Sequence, residues 1–457
     1  MTTTTKIPLF ENQKQSVKFF NKIKQGLDFS DPGTGKTRTQ IELFKKRRAK
    51  GSGCALVIAP KSLLYAAWYA DIKKFAPELS VCVVTAANRK KQLDVDADIY
   101  ITNTDATRWL SKLPKTWFTK FETLIVDEIS MFKHRTSLRS RCLNKIKSHF
   151  TYRYGLTGTP NSNTILDVWN QTFVIDDGER LGKSFFAYRS NVTTPVQVGP
   201  LPSMVDWKEK EGSRKAVADV LADITVRHKF EDCQSIPANH MYQVYYDLTD
   251  KQMDHYKDMI DFAVSEIKQG SVVNAVNAAS LITKLLQIAS GAVYDINGNA
   301  QLLDTDRYEL VLDLIKARDH SLVFFNWKHQ RDYLCKLCDT HKIPYTVIDG
   351  DTSDAEKRER VEQFQRGYFK VCFAHPQSAA HGLTLTRATS TIWCSPTYNL
   401  EFFTQGNRRI YRAGQTNKTE TICIVGRSTL ENKVYKKLAA KEFKQTDFLD
   451  TVKELLA

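Results

Sequence analysis

A glycine-rich segment near the N-terminus, DPGTGKT (31–37), places the strongest constraint on how this chain can fold. The segment follows a short apolar run and precedes TRTQIELFKKRRAK, which is typical of a helix. A strand, a glycine turn and a helix in this order make a loop whose backbone amides surround phosphate. Ser30 stands where the strict pattern GxxxxGK[ST] has its first glycine. The sequence therefore predicts a phosphate-binding loop that departs from that pattern at one position.

The residues of this loop have expected roles in binding ATP. Gly33 and Gly35 allow the backbone N–H groups to turn inward around phosphate, with Thr34 between them. Lys36 is expected to reach the β- and γ-phosphates, and the hydroxyl of Thr37 is expected to ligate Mg²⁺. ATP and Mg²⁺ are therefore the predicted cofactors.

An apolar run that ends in two carboxylates, LIVDEIS (124–130), follows the lysine of the loop by about 90 residues. The end of a strand projects side chains beside the phosphate loop at the same edge of a sheet. Asp127 is expected to hold Mg²⁺, directly or through water, and Glu128 to polarise the attacking water as a general base. The pair predicts hydrolysis of the bound nucleotide.

A basic segment near the C-terminus, QGNRRIYRAGQ (405–415), contains three arginines. Arg409 and Arg412 are three positions apart, which predicts that they share one face of a helix and point at one γ-phosphate. Arginines in this role stabilise the charge of the transition state. Arg408 is expected to point elsewhere, in a structural or DNA-facing role. Hydrolysis is therefore expected to depend on the closing of two lobes.

Short apolar runs alternate with helical sequence over the first 170 residues and again from about residue 320. Such alternation predicts parallel sheets covered by helices on both faces, and so an α/β fold. We predict lobe one at 1–170, a helical insertion or bridge at 171–300, and lobe two with a C-terminal helix at 301–457. The predicted strands are 27–29, 55–59, 81–84, 98–102, 123–126 and 154–157 in lobe one, and 321–325, 345–348, 371–374, 391–394 and 421–425 in lobe two.

The charge of the chain suits a polyanionic partner, with 66 Lys+Arg against 51 Asp+Glu and a formal net charge of +15. No apolar run approaches the length of a membrane helix, and the N-terminus lacks the features of a signal peptide. We expect the cytoplasm, or the nucleus if the source has one. The nine cysteines indicate reduced thiols, and the CxxC of Cys335 and Cys338 fits a helix face better than a zinc site.

Further segments resemble, in order, the motifs of the Swi/Snf-type ATPases of helicase superfamily two, and the resemblance extends over almost the whole chain. DEIS stands for the family's DEAH, and QGNRRIYRAGQ matches QAxxRxHRxGQ except for Gly406 and Tyr411. SAAHGLTLTRA (378–388) also matches, and its part GLTLTRA resembles bacterial, phage and fork-remodelling members more than nucleosome remodellers. The other matching segments are LFENQKQSVKFF (9–20), VIAPKSLLYAAWYADIKKFAP (57–77), IYITNTDA (99–106), LTGTPNSNTILDVW (156–169), LVFFNWKHQRDYL (322–334) and VIDGDTSDAEKRERVEQF (347–364).

The resemblance implies two RecA-like lobes and further roles for individual residues. Gln13 would read the adenine, Gly382 would lie in the nucleotide cleft, and Thr157 and Thr159 would couple the nucleotide to the lobe interface. Contacts with the DNA backbone are implied for Lys61, Asn103, Thr104, Ser378 and Thr384. Ser130 replaces the usual histidine, which puts the details of coupling in doubt but not hydrolysis.

The expected function is that of an ATP-dependent motor that moves along duplex or branched DNA, without sequence specificity and without full unwinding. A monomer suits a motor with both lobes in one chain. Two alternatives stay open from the sequence. One is a helicase that separates strands of DNA or RNA, and the other is a DNA-binding scaffold switched by nucleotide.

Overall fold

The computed structural model divides into two units, Met1–Ser235 and Ile236–Ala457. The structure describes residues 8–92, 95–160, 164–197, 205–233, 236–268, 275–295, 297–379 and 383–440. Each unit has its own main sheet and its own hydrophobic clusters.

In the first unit, the described residues form a seven-stranded sheet with the order β3-β4-β2-β5-β6-β1-β9, and each pair of neighbours is parallel. Both faces of this sheet are buried. Leu56 and Ile58 of the second strand belong to one apolar cluster, whereas Ala55 and Val57 belong to another. This alternation places a core on each side of the sheet. The strands of the unit are β1 (Gln25–Asp28), β2 (Cys54–Ala59), β3 (Val81–Val84), β4 (Ile99–Asn103), β5 (Phe121–Asp127), β6 (Tyr152–Leu156), β7 (Thr193–Gln197), β8 (Val205–Glu209) and β9 (Thr225–Val226).

Helices connect these strands and cover the sheet. The α-helices are α1 (Glu11–Phe20), α2 (Lys36–Arg48), α3 (Ala70–Phe75), α4 (Arg89–Gln92), α5 (Thr107–Leu110), α6 (Leu138–Ile146), α7 (Asp167–Asp176), α8 (Phe185–Val192), α9 (Ser213–Val220) and α10 (Phe230–Cys233). A π-helix, Leu64–Tyr69, precedes α3, and 3₁₀ helices span Thr104–Ala106, Lys115–Lys120, Ile129–Phe132 and Lys147–His149.

In the second unit, the described residues form a six-stranded parallel sheet with the order β10-β17-β16-β13-β15-β14. Its strands also face two cores, since Leu322 and Phe324 belong to one cluster and Val323 and Phe325 to another. The strands are β10 (Asn239–Tyr246), β11 (Ala292–Tyr294), β12 (Ala300–Leu302), β13 (Ser321–Phe324), β14 (Tyr345–Ile348), β15 (Val371–Ala374), β16 (Ser390–Trp393) and β17 (Thr419–Gly426). The helices are α11 (Asp250–Lys268), α12 (Ala275–Ala289), α13 (Asp306–Lys316), α14 (Lys328–Thr340), α15 (Asp354–Arg366), α16 (Pro376–Ala379), α17 (Leu400–Asn407) and α18 (Glu431–Ala439).

A buried ion pair joins several elements of the second unit. Arg307 of α13 lies 2.7 Å from the Glu431 carboxylate of α18, and both side chains are at most 1% exposed. The same guanidinium donates to the carbonyl of Ala289 at the end of α12. A buried charge is tolerated only when it is paired and hydrogen-bonded, so this arginine fixes three helices relative to one another.

The predicted class, two α/β lobes with parallel sheets, is confirmed. Each predicted strand overlaps an observed one, and the bounds of 81–84, 345–348 and 371–374 are the observed bounds. The structure also has strands that the sequence did not indicate, among them β10 and an antiparallel ribbon of β7 and β8.

The units divide at a different place from the predicted boundaries at 170 and 300. Residues 171–235 belong to the first unit, where α7 packs against β1 and β6 and β9 pairs with β1. Residues 236–300 belong to the second unit, where β10 pairs with β17 along its whole length. The predicted insertion is thus shared between the sheets, because strand pairing ties each half to one of them.

Within the described residues, no helix combines the length and the apolar character that crossing a bilayer requires.

Candidate active site

The candidate residues of the first unit gather at the carboxyl edge of its sheet. The phosphate loop follows β1, Lys61 follows β2, Asn103 ends β4, Asp127 ends β5 and Thr157 follows β6. Asp28, Leu156 and Asp127 stand in register across β1, β6 and β5. Ligands of open parallel sheets bind outside this edge, so the topology brings together residues that are far apart in the sequence.

The phosphate loop adopts the backbone conformation that its glycines allow. Gly33 and Gly35 have φ values of +89° and +86°, in the left-handed region that favours glycine. Gly35 is also the N-cap of α2, so the loop opens directly onto the helix that begins at Lys36. The amides at the start of a helix attract anions. The loop therefore has the geometry of an anion cradle.

The polar side chains of the loop bond to the loop itself. Lys36 Nζ donates to the carbonyl oxygens of Ser30 at 2.6 Å and Asp31 at 3.1 Å. The hydroxyl of Thr34 donates to the same Asp31 carbonyl at 2.8 Å. Thr37 lies in the first turn of α2 and is half-buried. The lysine ammonium is thus bonded to carbonyl groups of the same loop in which it is expected to bind phosphate.

Helix α1 packs behind this loop and carries the predicted adenine-reading residue. Asn12 Nδ2 donates to the carbonyl of Thr34 at 2.9 Å. Gln13 Oε1 accepts from the amide of Phe10 at 3.0 Å, and a Cβ on Gly35 would lie 2.1 Å from Gln13 Nε2. The structure therefore brings Gln13 and the loop together, and its role with adenine stays a prediction.

The two carboxylates at the end of β5 are each 8% exposed and have separate sets of donors. Asp127 Oδ2 accepts from the indole N–H of Trp68 at 2.8 Å. Glu128 Oε1 accepts from the hydroxyls of Ser130 at 3.0 Å and Thr157 at 2.5 Å. Glu128 has a φ of +54°, a left-handed value that is uncommon outside glycine. Such strain persists where the surroundings hold a residue in place, as these two hydroxyls do.

The environment of Asp127 favours a bound cation. Burial and the neighbouring Glu128 carboxylate raise the pKa of Asp127 to about 6. A divalent cation would offset both effects, since it neutralises charge that the protein solvates poorly. Carboxylate and hydroxyl oxygens are the hard donors that Mg²⁺ prefers. Asp127 and Thr37 therefore fit the predicted metal.

The sequence did not indicate a role in this site for three of its residues, Trp68, Ser130 and Asp28. Trp68, which matched a family motif, lies in a π-helix, an element frequent at functional sites. Ser130 was noted only as the replacement of a histidine, yet its hydroxyl bonds Glu128. Asp28 is 2% exposed, bonds the Ser30 amide, and has its pKa raised by burial. An acid within the apolar run before the loop was the available signal for Asp28.

The predicted DNA contacts of the first unit lie at the same edge of the sheet, with different exposure. Lys61 is exposed in a turn, and Asn103 is half-buried at the end of β4. Thr104 begins a 3₁₀ helix and is 3% exposed, so its side chain offers little surface. Two residues after Thr157, the amide of Thr159 donates to the Thr157 hydroxyl at 3.2 Å. The DNA contacts stay predictions.

In the second unit, Ser378 lies on α16 and Thr384 is half-buried before β16, whereas Gly382 lies outside the described residues. The expectation that Arg409 and Arg412 share a helix is wrong, because α17 ends at Asn407. The Arg409 amide bonds Gly406 in a turn, and its side-chain Nε donates to the Gln405 carbonyl instead.

The two arginines nevertheless converge. Arg409 Nη1 and Arg412 Nη1 both donate to the carbonyl of Leu383, at 3.2 Å and 3.0 Å. Arg408 takes a separate direction and lies over the ring of Tyr411, 5.0 Å from its centroid. The turn after α17 therefore brings the two guanidinium groups together, and their role with the γ-phosphate stays a prediction.

A family model described as the SNF2-related domain matches residues 12–290. The chain belongs to this family. A second model, the helicase conserved C-terminal domain, matches residues 306–414. Together they identify a helicase-like, ATP-dependent enzyme that acts on DNA. The matched ranges contain the phosphate loop, the acidic pair and both converging arginines.

Similar proteins occur in a phage and in bacteria. "Putative protein p41" of Acyrthosiphon pisum secondary endosymbiont phage 1 is 28% identical over 458 residues, covering 94% of this chain and 95% of that protein. "Uncharacterized ATP-dependent helicase MG018" of Mycoplasma genitalium is 24% identical over 92% of this chain, which spans only 40% of that helicase. The "Sulfolobus solfataricus SWI2/SNF2 ATPase core in complex with dsDNA" has a TM-score of 0.46 and 22% identity, covering 98% of this chain and 95% of that one.

The buried charge of Asp127 predicts a pH-dependent effect on stability. The pKa of this carboxyl rises from 3.8 to about 6 on folding. Its contribution to stability is therefore present below about pH 4 and is lost as the pH rises through about 6. In EDTA, Asp127→Asn should raise the free energy of unfolding at pH 7.5 by up to about 3 kcal/mol, with a smaller gain near pH 4. Urea unfolding measures both values.

Asp98→Asn is the matched control, because the sign of its effect should be opposite. Partial burial alone would raise the pKa of Asp98, but hydrogen bonds from Ser80 and Arg48 outweigh this effect and lower the pKa. Loss of this carboxylate should therefore destabilise the protein at pH 7.5. Equal stability of Asp127→Asn and wild type at pH 7.5 would show that the Asp127 carboxyl is not strained by burial.

The hydroxyl of Thr157 predicts an effect on turnover. Thr157→Val keeps the shape of the side chain but removes the donor that orients Glu128. We expect kcat for ATP to fall about tenfold or more, with KM changed less than threefold. Thr123→Val is the control, since the Thr123 hydroxyl is buried in β5 with no partner among the described residues. A kcat for Thr157→Val equal to that of Thr123→Val would contradict this role.

Proposed function

We propose that the protein is an ATP-driven motor that moves along double-stranded DNA without separating the strands. The observation that carries this proposal is the set of groups at the carboxyl edge of the first sheet. A phosphate cradle with Lys36 and an acidic pair with its own donors lie there, within a helicase-like family. A second α/β unit in the same chain carries the converging arginines.

The first unit is proposed to bind ATP through the phosphate loop. The amides of Gly33 to Lys36 would surround the β-phosphate, and Lys36 would exchange its two carbonyl partners for phosphate oxygens. Thr37 and Asp127 would hold Mg²⁺, which supplies positive charge to the phosphates when it is bound. Gln13 would select the adenine base. Trp68 would keep the Asp127 carboxylate turned toward the site.

Glu128 is proposed as the general base. Its Oε1 accepts from Ser130 and Thr157, and both bonds orient the carboxylate, whose Oε2 would accept a proton from the attacking water. Ser130 thus provides a hydrogen bond at the position where the family usually has histidine. Because the Thr157 hydroxyl also accepts from the amide of Thr159, a movement of the Glu128 carboxylate would be transmitted through Thr157 to the segment after β6.

Arg409 and Arg412 are proposed to stabilise the charge that develops on the γ-phosphate. Two guanidinium groups that share the Leu383 carbonyl are close enough to act on one phosphate. Their charge would reach the nucleotide only when the second unit closes on it. Hydrolysis and product release would then end that contact, so that the chemical cycle drives a cycle of movement.

DNA is proposed to bind through its phosphate backbone. Lys61, Asn103 and Thr104 would contact it from the first unit, and Ser378 and Thr384 from the second. Backbone contacts carry no sequence information, which suits a motor that moves along any sequence. The formal net charge of +15 favours such a partner. We propose a monomer that works in the cytoplasm of a bacterial or phage-infected cell.

One observation favours the strand-separating alternative. Strands β7 and β8 form a two-stranded antiparallel ribbon within the range 171–300, and an element of this kind would serve as a pin between the strands of a duplex. A helicase of this kind would displace one strand of a labelled duplex, whereas a translocase would displace a third strand from a triplex without opening the duplex. The two assays on the same preparation separate the alternatives.

The proposed function predicts ATP hydrolysis that depends on duplex DNA. We expect a low rate without nucleic acid and a rate at least about tenfold higher with duplex or branched DNA. The measurement is steady-state hydrolysis with no nucleic acid, single-stranded DNA, duplex DNA, a fork and RNA. Lys36→Ala is the control for contaminating ATPases, and Arg412→Ala should bind ATP without turning it over.

The outcomes of this assay distinguish the translocase from the helicase and from the nucleotide-switched scaffold. Stimulation by single strands or RNA alone would reject the translocase in favour of a helicase. Equal rates with and without nucleic acid would reject a motor, and very slow turnover under all conditions would leave the nucleotide-switched scaffold.

A further inference from the structure

A segment near the end of the first unit lies directly on the phosphate loop, although about 190 residues separate the two in the sequence. Strand β9 pairs in parallel with β1, and the contact continues beyond the end of the strand. The amide of Phe29 donates to the carbonyl of Val226 at 2.9 Å, and the amide of Asp31 donates to the carbonyl of His228 at 2.9 Å. We call Val226–Phe230 the loop brace.

Side chains reinforce these backbone bonds. The amide of His228 donates to the hydroxyl of Ser30 at 3.0 Å, and the amide of Phe230 donates to a carboxylate oxygen of Asp31 at 3.2 Å. Both acceptors belong to the residues whose carbonyls hold Lys36. The brace therefore bonds the same turn that positions the lysine.

The ring of Phe230 limits which residues the loop can contain. Phe230 is fully buried, and a Cβ on Gly33 would lie 2.8 Å from its Cε2. Real Cβ atoms are not found this close to another heavy atom, so an added methyl group would displace the ring or the loop. Glycine is thus required at Gly33 for two reasons, its φ of +89° and the ring above it.

The brace is itself anchored to α1. The His228 ring nitrogen Nε2 lies 3.0 Å from the hydroxyl of Ser16, which is 2% exposed. Helix α1 also holds the loop directly, because Asn12 donates to the carbonyl of Thr34. The loop is therefore fixed between α1 and the brace, and a shift of either would move its amides.

We propose that the loop brace is a positioning element, which holds the phosphate loop in its anion-binding conformation before ATP arrives. A loop with two left-handed glycines has many alternative conformations, and ordering it on binding would cost affinity. The brace removes that cost by fixing the turn in advance. The proposal rests on the proposed role of the loop in binding ATP, and it assigns His228 and Phe230 a part that the sequence did not indicate.

The test compares KM and kcat for ATP, together with the affinity for a fluorescent ATP analogue, in Phe230→Leu and Ser16→Ala. Phe230→Leu should raise KM and the dissociation constant about five- to tenfold, and Ser16→Ala about two- to threefold. Both should lower kcat less than they raise KM. A merely structural role would reduce the active fraction, and so kcat, without changing KM. Phe118→Ala is the control, because Phe118 is a buried phenylalanine in an aromatic cluster of the same unit.

A double-mutant comparison tests the contact itself. Gly33→Ala should raise KM more in the wild-type background than in Phe230→Leu, since the smaller side chain makes room for the added methyl group. Unchanged KM in both Phe230→Leu and Ser16→Ala, or strictly additive effects of Gly33→Ala and Phe230→Leu, would overturn the proposal. The binding measurement contains no DNA, so a failure of duplex stimulation would reject the motor and leave this result intact.

Discussion

The first unit is organised around two adjacent carboxylates that it holds almost completely out of water. Asp127 and Glu128 are each 8% exposed. Two adjacent carboxylates repel each other when both are charged, and burial deprives both of solvation by water. Each carboxylate therefore needs donors from the protein. Trp68 supplies one to Asp127, and Ser130 and Thr157 supply two to Glu128. The π-helix, the 3₁₀ turn after β5 and the segment after β6 are all tied to this one point.

The parallel sheet explains why these residues meet. In register, Asp127 of β5 and Asp28 of β1 are separated only by Leu156 of β6, so the acidic pair and the phosphate loop are about 10 Å apart at their strand ends. The close approach continues in the loops, since a Cβ on Gly158 would lie 2.7 Å from Pro32. A site that strains one carboxylate and requires glycine at fixed positions gives up stability for binding and chemistry.

Much of this arrangement follows from the sequence, for identifiable physical reasons. Continuous apolar runs such as 371–374 predict strands buried on both faces, and glycine spacing predicts the phosphate loop. The convergence of Arg409 and Arg412 was also predicted, but through a helix. Beyond Asn407 the Gln405 carbonyl accepts from the Arg409 side chain, whereas the Arg409 amide bonds Gly406, so the helical hydrogen-bond pattern is not continued. Spacing alone does not distinguish a helix from a turn that returns on itself.

The loop brace shows where sequence reasoning stops. Strand β9 has two residues, too few for a periodic pattern, and it forms only because β1 and the loop offer backbone partners. The sequence around His228 and Phe230 likewise gives no indication of their partners, which are distant in the chain. His228 contacts Ser16, and the ring of Phe230 lies against Gly33. Such long-range packing also decides where the two units divide, at 235 instead of 170.

The most direct measurement is single-turnover hydrolysis of radiolabelled ATP by Glu128→Gln with duplex DNA present, alongside a binding titration. If Glu128 is the base held by Thr157 and Ser130, this variant should bind ATP within a few-fold of wild type. Its rate of hydrolysis should be lower by a factor of about 10² to 10⁴. Hydrolysis within tenfold of the wild-type rate would contradict the account, because the acidic pair would then not be the centre of the chemistry.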